Sequence, residues 1–539
     1  MNRTSAVVVM VLLSVAAGLL SHTASRHNSA TFDEVILVSG GIRGMYNGRW
    51  EMVTDQPPLM MYAYGLAARA AATSLPPETR PWEFDHRWTY ARGLFFRLGN
   101  DPQALLVRAR AVAAGVAGLL VLTVGLWAMW IAGPTAGVLG AGMAAFLPDL
   151  LAHGGVAYND VPLALAFVLS LWSMDVWVRT PNPRTAFLAG AGLVLAFGMK
   201  LSALALLPAG AVIGAIEAWN RRGDRAWWRD MALSKVVIIP TIYVGLVLLY
   251  RGDPTLTLLR FNFFRTVLHA SGGHEAPAYL LGQVSAGGWW YYFPVALALK
   301  TPVALLLALL GGTALALRHT LSLGWKGLSE WKGRAAVVGV VVFLAFLMRS
   351  NLNAGVRYAL PLVPLLIVVA AAGLGTMLRE TKAWTVRAGR LVFVLLLVQA
   401  MSVLAAYPHF LAYGNALAGG SAELHRSLLD SNLDWGQGLL ELKAFMADEG
   451  VASVSLSYFG SAPPDAYGIE YVGLPSFLPM APDRTAAAEA SPRFTVISVN
   501  NLYGLYLDGA DPFAAYRTRE PYAVLGHSMF VFDERAGAE

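Results

Sequence analysis

Two short acidic motifs stand beside long apolar runs of this sequence. Thr31-Phe32-Asp33-Glu34 follows an apolar run by roughly ten residues, and Asn159-Asp160-Val161-Pro162 directly precedes another that begins at Leu163. A carboxylate held at a membrane surface can act as a general base that deprotonates a hydroxyl. The structural alternative is a helix start, where acids are favoured by the helix dipole and Asn or Asp before Pro forms a cap. Both roles are compatible at Asp160, which faces the same predicted side as Asp33.

Three basic residues lie where the apolar pattern predicts membrane or its surface. Lys200 stands between two apolar runs that predict a helical hairpin, Lys300 lies inside an apolar run, and Arg357 lies just before another. A cation within a span costs about 2.5–3.5 kcal/mol on insertion scales, so such residues are usually paired or functional. A membrane-embedded anion such as a lipid phosphate would account for several of them together. Snorkelling to the interface is the alternative, and it fits Arg357 best.

The elements that position these residues are predicted membrane helices. Of the 539 residues, 56% are hydrophobic and only 14% are charged, which excludes an ordinary water-soluble enzyme. The sequence has no cysteine, which excludes disulfides, thiolate metal sites and a cysteine nucleophile. The net charge of +6 is explained by Lys and Arg in cytoplasmic loops, so no nucleic-acid partner is expected.

Apolar runs predict about eleven membrane spans, and some are shorter than the roughly 20 residues that a straight crossing needs. The runs are residues 6–20, 107–131, 136–151, 163–178, 186–199, 203–219, 236–250, 294–317, 335–348, 359–378 and 391–407. Basic residues gather in alternate loops, at 179–184, 221–229, 318–334 and 379–390. The positive-inside rule therefore predicts a cytoplasmic Met1, and the odd number of spans predicts an outer C-terminus.

The outer side is predicted to hold most of the chain that lies outside the membrane. It receives loops at 21–106 and 251–293 and a tail at 408–539, which leaves 1–407 as the membrane domain. The tail carries strand-like runs at 454–459, 494–499 and 528–532 and a helix-like stretch at 439–449. This pattern predicts a small extracytoplasmic α/β domain on a polytopic α-helical membrane protein. Asp434-Trp435 in the tail predicts either a sugar contact or a turn with a packed Trp.

The chain resembles the bacterial phospholipid-carrier-dependent glycosyltransferases of the protein O-mannosyltransferase-like group, in the GT-C superfamily. It is more distantly similar to the lipid A aminoarabinose transferase. The resemblance runs along nearly the whole chain, and the order and placement of its motifs carry it, since each motif is weak by itself. Besides the two acidic motifs they are Gln56-Pro57-Pro58-Leu59, Phe197-Gly198-Met199-Lys200-Leu201-Ser202-Ala203, Tyr292-Phe293-Pro294, Leu299-Lys300-Thr301-Pro302, Arg357-Tyr358 with Leu360-Pro361, Asp430-Ser431-Asn432-Leu433-Asp434-Trp435-Gly436-Gln437 and Tyr458-Phe459-Gly460.

The resemblance implies an inverting transfer of a sugar from a polyprenyl-phosphate carrier to an acceptor hydroxyl of a protein, lipid A or another glycan. The site would be at the outer face of the bacterial cytoplasmic membrane. Asp33 is then the base, with Glu34 and Asp160 as positioning or supporting carboxylates. A phosphate leaves as a stable anion, so no general acid, metal or cofactor is demanded.

The cations that this resemblance offers to the donor phosphate are Lys200, Lys300 and Arg357, with Arg265 and His269 as weaker candidates. Gln56 stands where the family usually has His. An amide cannot take or give a proton near neutral pH, so Gln56 carries over as a substrate contact without a proton-transfer role.

Two other functions fit a polytopic chain of this kind. A transporter or flippase would gather its ionisable residues at mid-bilayer and often shows inverted repeats, neither of which the sequence indicates. An inactive scaffold for cell-envelope assembly is the second alternative. The enzyme hypothesis requires that Asp33, Asp160 and Lys200 converge in one lipid-facing cavity, whereas scattered positions would contradict it.

Overall fold

The computed structural model describes the chain except for Met1, Arg49, Glu51, Thr54, residues 78–83, 273–276, 380–382, 479–491, Asp508, Ala510 and 536–539. Helices dominate the part that precedes the tail. They are α1 (Arg3–Ser25), α2 (Glu34–Asn47), α3 (Leu59–Ala68), α4 (Phe84–Arg92), α5 (Pro102–Ala145), α6 (Pro148–Gly154), α7 (Asp160–Arg179), α8 (Pro183–Met199), α9 (Leu206–Asn220), α10 (Arg225–Leu249), α11 (Thr257–Gly272), α12 (Tyr292–Lys300), α13 (Val303–Ser322), α14 (Gly324–Glu330), α15 (Arg334–Met348), α16 (Leu362–Met377) and α17 (Ala383–Leu404). A short hairpin, β1 (Ala278–Leu280) with β2 (Gln283–Ser285), lies between α11 and α12.

Among the described residues, seven helices are long and apolar enough to cross a membrane by length and composition. They are α1, α5, α7, α9 with the 3-10 turn before it, α10, α13 and α17, and three shorter apolar helices, α8, α15 and α16, accompany them. The protein is therefore a multi-pass helical membrane protein. Every predicted run overlaps an apolar helix. Helix α5 is broken in its middle and accounts for two of the runs, whereas the run at 294–317 covers two helices, α12 and α13.

The break in α5 lies at Ala132 and Gly133, whose φ of 80° suits glycine. Beyond it the chain folds back on itself, since a Cβ on Gly125 would lie 3.0 Å from the side chain of Ala141. The 44 residues of α5 are thus two helices packed against each other, as the sequence predicts from the gap between 131 and 136.

The sequence predicts one span at 294–317, but the structure has two helices there. Helix α12 ends at Lys300, Thr301 is extended, and a new helix begins after Pro302. Proline has no N–H to continue the ladder and disfavours helical geometry in the residue before it. Lys300 is therefore the last residue of a short helix and does not lie within the long span α13.

A buried ion cluster joins three membrane helices at the end of the bundle where α7 stops. Arg334 on α15 contacts Asp175 on α7 at 2.7 Å and Glu217 on α9 at 2.6 Å. Arg179 shares Asp175 and donates to backbone carbonyls of Glu330 and Trp331. The three residues at its centre are almost fully buried, so the cluster ties these helices together at the end that carries the basic loops.

The tail forms an α/β unit with a mixed five-stranded sheet. Its elements are α18 (Leu439–Asp448), β3 (Ser453–Ser457), β4 (Glu470–Gly473), β5 (Phe494–Ser498), α19 (Val499–Leu502), β6 (Ala523–Leu525) and β7 (Met529–Asp533). The strand order is β4-β3-β5-β7-β6, parallel from β4 to β5 and antiparallel from β5 to β6. The central strand β5 is buried along its whole length, as its apolar run requires. The three strand-like runs and the helix predicted from the sequence are all present.

The segment between α17 and α18 packs into the membrane part. Asn432 accepts a hydrogen bond from the backbone N–H of Val356 at 2.8 Å and donates to the hydroxyl of Tyr292 at 2.9 Å. The backbone N–H of Phe32 donates to the carbonyl of Trp435 at 2.8 Å. The tail is thus fastened to the first loop, to α12 and to the turn before α16.

Candidate active site

The two acidic motifs meet at one end of the membrane helices. Asp33 closes the loop between α1 and α2, and Asp160 is the first residue of α7. Neither Asp33 nor Asn159 makes a side-chain capping bond to the helix that follows it, so the capping role expected from the sequence is not observed. The carboxylates of Asp33 and Asp160 instead face two cations.

Arg357 and Lys200 link the two carboxylates. Arg357 lies in the 3-10 turn Val356–Ala359, and its Nη1 is 3.4 Å from Asp33 Oδ2 and 3.7 Å from Asp160 Oδ2. Lys200 is an extended residue between α8 and the turn before α9, and its Nζ is 2.6 Å from Asp160 Oδ1. We call Asp33, Asp160, Lys200 and Arg357 the charged quartet.

Aromatic rings enclose the two cations of the quartet. Lys200 Nζ lies 4.5 Å from the ring centre of Tyr358 and 5.7 Å from that of Tyr158. The Arg357 guanidinium lies over the same two rings, at 4.9 and 5.5 Å, and 4.3 Å from a ring centre of Trp435. Ring faces are electron-rich and attract cations, and the hydroxyl of Tyr358 also accepts a hydrogen bond from Arg357 Nη2 at 3.4 Å.

Several buried polar atoms around the quartet have no hydrogen-bond partner within the described residues. They are Asp160 Oδ2, Asn159 Oδ1, Arg357 Nε and both ring nitrogens of His153, which packs edge-on against Trp435. Buried polar groups in native proteins are almost always paired with protein, ordered water or ligand. A cluster of them at one place is therefore expected to pair with ordered water or with a ligand.

Asp33 is the most accessible member of the quartet, with 28% of its side chain exposed. Burial raises the pKa of Asp33, and Arg357 opposes that rise while the neighbouring acids Asp55 and Asp160 add to it. Its Oδ1 makes no hydrogen bond to the described part of the chain. A carboxylate with a raised pKa and a free oxygen is equipped to accept a proton.

Glu34 is placed differently from its neighbour. It is fully buried and receives Arg110 through both oxygens, at 2.9 and 2.7 Å, as well as the backbone N–H groups of Thr31 and Ala157. Burial alone would raise the pKa of Glu34, but the Arg110 pair and these hydrogen bonds lower it. All this pairing fixes the loop that carries Asp33.

Lys300 is also committed to protein partners. Its Nζ lies 3.1 Å from Asp149 Oδ1 on α6 and donates to the carbonyls of Leu411 and Asn432, and the side chain is 0% exposed. The structure therefore does not bring Lys300 to the quartet. It joins α6 and α12 to the segment of the tail that carries Trp435.

The weaker candidates lie in three different situations. Gln56 is beside the site, where its Oε1 accepts from Asn159 Nδ2 at 3.3 Å. Arg265 is exposed on α11, near the ring of Phe261. The side chain of His269 lies outside the described residues. Within the described part of the chain, no group of three or more His, Asp or Glu residues could hold a metal ion.

Sequence reasoning missed the aromatic enclosure. Tyr158 directly precedes the second acidic motif and Tyr358 directly follows Arg357, and each was visible as the aromatic neighbour of a charged candidate. Trp435 is a packed residue of a turn, which is one of the two alternatives predicted for it, and Arg357 is among the residues against which it packs. No sequence signal connects these two residues.

No protein-family model matches the chain, and no curated protein matches it. Among solved structures, it is similar to ArnT from Cupriavidus metallidurans bound to undecaprenyl phosphate, with 12% identity, a TM-score of 0.45 and 98% of each chain covered. The apo state of that protein gives 14% identity and a TM-score of 0.48 over 97% of each chain. The oligosaccharyltransferase AglB from Archaeoglobus fulgidus, in complex with an inhibitory peptide and a dolichol-phosphate, gives 12% and 0.49, with 94% of this chain and 72% of that chain covered.

Proposed function

We propose that this protein is an inverting glycosyltransferase that moves a sugar from a polyprenyl-phosphate carrier to an acceptor hydroxyl. The observation that supports it is the charged quartet. Two carboxylates and two cations, drawn from four separate parts of the chain, converge at one end of the membrane helices. The enzyme hypothesis required this convergence of Asp33, Asp160 and Lys200. A mid-membrane distribution would have favoured a transporter.

The cations of the quartet suit the phosphate of the donor. Arg357 has an unpartnered Nε among the described residues, and Lys200 is partly exposed beside it. Guanidinium and ammonium groups bind phosphate oxygens through short, charge-assisted hydrogen bonds. In a site partly closed to water these contacts strengthen as negative charge builds up on the departing phosphate.

Asp33 suits the role of general base. It takes the proton of the acceptor hydroxyl while that oxygen attacks the anomeric carbon of the sugar. The bond from that carbon to the phosphate oxygen breaks, and its electron pair stays on the phosphate, so the configuration inverts. Asp160 holds Lys200 and contacts Arg357, which makes it a positioning residue for both cations.

We also propose on which side of the membrane the reaction takes place. We place the site at the outer face of the cytoplasmic membrane, with Met1 inside and the C-terminal α/β domain outside, from the basic loops at the opposite end of the bundle. The partners are the bilayer, the lipid-linked sugar and an acceptor protein or glycolipid. The proposed reaction uses no cofactor.

The test uses purified protein in lipid with a radiolabelled sugar on undecaprenyl phosphate, together with envelope extract, and follows loss of label from the carrier. Wild type is expected to turn over, and Asp33→Asn to fall by a factor of about 10²–10⁴, the usual contribution of a general base. Asp55→Asn is the matched control, because Asp55 is a nearby acid that pairs with Arg87 at 3.0 Å. Equal rates in wild type and Asp33→Asn would remove Asp33 from its role. Movement of the labelled lipid between leaflets without transfer would indicate a flippase.

A further inference from the structure

One guanidinium nitrogen serves both carboxylates of the quartet. Arg357 Nη1 lies between Asp33 Oδ2 and Asp160 Oδ2, at 3.4 and 3.7 Å. Asp160 has a second cation, Lys200, at 2.6 Å, whereas Arg357 is the cation that contacts Asp33 among the described residues. Protonation of Asp33 would therefore release Arg357 from one of its two acids, while Asp160 remains paired.

The other charged and titratable groups that face Asp33 come from each element around it. Asp160 and Tyr158 belong to α7 and the residues before it, Lys200 follows α8, and Asp55 lies in the loop before α3. Asp55 is paired with Arg87, and Lys200 with Asp160. Arg357 is therefore the group whose partner changes when Asp33 gains or loses its proton.

A charge count shows why this sharing matters for the proposed reaction. With both acids ionised, the quartet carries two positive and two negative charges and is neutral. The bound donor is a phosphodiester with one negative charge, and the product is a phosphate monoester with about −1.5 to −2 at pH 7. When Asp33 accepts the acceptor proton, the quartet becomes +1 as the phosphate gains its extra negative charge. The sum over quartet and lipid is the same before and after.

We propose that the protonation state of Asp33 sets the affinity of the site for its lipid-phosphate product. Protonated Asp33 leaves Arg357 free to hold the phosphate monoester. When Asp33 loses that proton to water, Arg357 pairs with Asp33 again and the lipid is released. Deprotonation of Asp33 and release of the product therefore occur together. This inference rests on the proposed function and adds to it a mechanism by which the site resets.

Proton linkage gives the expected size of the effect. If binding of the product favours protonated Asp33, the affinity falls by up to about tenfold for each pH unit between the pKa of Asp33 in the free protein and its pKa in the complex. The raised pKa of Asp33 in the free protein moves this window towards neutral pH. A variant whose residue at position 33 cannot ionise is therefore expected to bind the lipid-phosphate product with high affinity at every pH.

The experiment measures binding of undecaprenyl phosphate to detergent-solubilised wild type, Asp33→Asn and Asp55→Asn between pH 5 and 9. Asp33→Asn is expected to bind at least about tenfold more tightly than wild type at pH 8, and the difference is expected to close at acid pH. The phosphate of the lipid titrates in the same way in both proteins, so the ratio isolates Asp33. Asp55→Asn is expected to stay within about fivefold of wild type, because Asp55 is a partly exposed acid whose ion pair is with Arg87.

Equal affinities and equal pH dependence in wild type and Asp33→Asn would overturn the inference and leave the proposed function standing. Absence of lipid binding in wild type, or binding that Arg357→Ala and Lys200→Ala do not weaken, would overturn the proposed function itself. If Asp33→Asn does not fold, proton uptake by wild type decides the matter. At pH 8 the lipid is already a dianion, so binding is expected to take up a proton onto the protein, and no uptake would contradict the inference.

Discussion

Trp435 lies over the guanidinium of Arg357, with its ring centre 4.3 Å from the central carbon. Arg357 precedes a membrane helix and Trp435 belongs to the tail, so the contact joins the two parts of the protein at the quartet. Val156, Leu411 and Trp435 form a small buried apolar cluster behind it. The tail therefore supplies a wall of the site in addition to its own sheet.

Replacement of Trp435 by Ala is expected to lower kcat/KM for the lipid-linked donor by about tenfold or more, since a desolvated cation–π contact is worth about 2 kcal/mol. Trp435→Phe keeps a ring face against Arg357 and is expected to recover most of the activity. Trp290→Ala, which removes an exposed indole, is the control. Loss of activity in Trp435→Phe as large as in Trp435→Ala would contradict a role for the ring face.

Arg357→Lys tests the geometry of the quartet. A lysine keeps the charge but loses the planar fork that reaches Asp33, Asp160 and a phosphate together, and Arg and Lys are not equivalent at such sites. We expect kcat/KM to fall by about a hundredfold, the scale found for loss of a preorganised charge contact. Arg221→Lys serves for comparison, because Arg221 is a half-exposed arginine that pairs with Glu217 at the other end of the bundle. Activity near that of wild type in Arg357→Lys would show that charge alone suffices.

The rate of transfer is expected to fall as the pH is lowered through the pKa of Asp33, because a protonated base cannot accept the acceptor proton. Burial raises the pKa of Asp33 above its ordinary value, so the acid limb should lie at a higher pH than for an exposed aspartate. A profile of kcat/KM against pH for wild type and Asp55→Asn measures it. A rate that increases towards acid pH would be incompatible with Asp33 as base.

Glu34→Gln is expected to destabilise the fold by about 3–5 kcal/mol, because it leaves Arg110 buried without its counter-charge. The folded-state pKa of Glu34 is lowered, so the pair stabilises the protein above the ordinary pKa of a glutamate. That contribution disappears as the pH falls through the lowered value. Thermal unfolding in detergent measures both effects, with Glu423→Gln in an exposed pair as the matched control. An unchanged unfolding temperature would show that the pair of Glu34 and Arg110 does not stabilise the fold.

The contribution of Asp434 to stability is expected to depend on pH in the opposite direction to that of Glu34. Burial raises the pKa of Asp434 to about 7, so the folded protein holds a proton there that the unfolded chain releases near pH 4. Stability is therefore lost as the pH rises between about 4 and 7, and the full cost applies above. Asp434→Asn is expected to raise the unfolding temperature at pH 8 more than at pH 5. An equal effect at both pH values would mean that Asp434 stays ionised in the folded state.

Much of this structure can be predicted from the sequence, because an apolar run or a short motif is recognised from neighbouring residues alone. Asp33, Asp160, Lys200 and Arg357 were all candidates, and they meet. Lys300 was a candidate on the same grounds, yet its partner Asp149 is distant in sequence and no pattern announces the pair. Glu34 directly follows Asp33 in the same motif, but its side chain pairs with Arg110 and not with the quartet. Pairing of buried charges is decided by tertiary packing, which periodicity does not report.

The ion cluster of Asp175, Glu217 and Arg334 bears on how the chain is made. Asp175 and Glu217 leave the ribosome well before Arg334, their shared buried partner. At about 5–20 residues per second, the delay after Glu217 is on the order of ten seconds. An unpaired acid is costly to expose to lipid, but Asp175 already has Arg179 at 2.7 Å and Glu217 already has Arg221 at 3.0 Å, each four residues further along the chain. Helices α7 and α9 can therefore enter the membrane with these acids neutralised, and α15 joins them when Arg334 emerges.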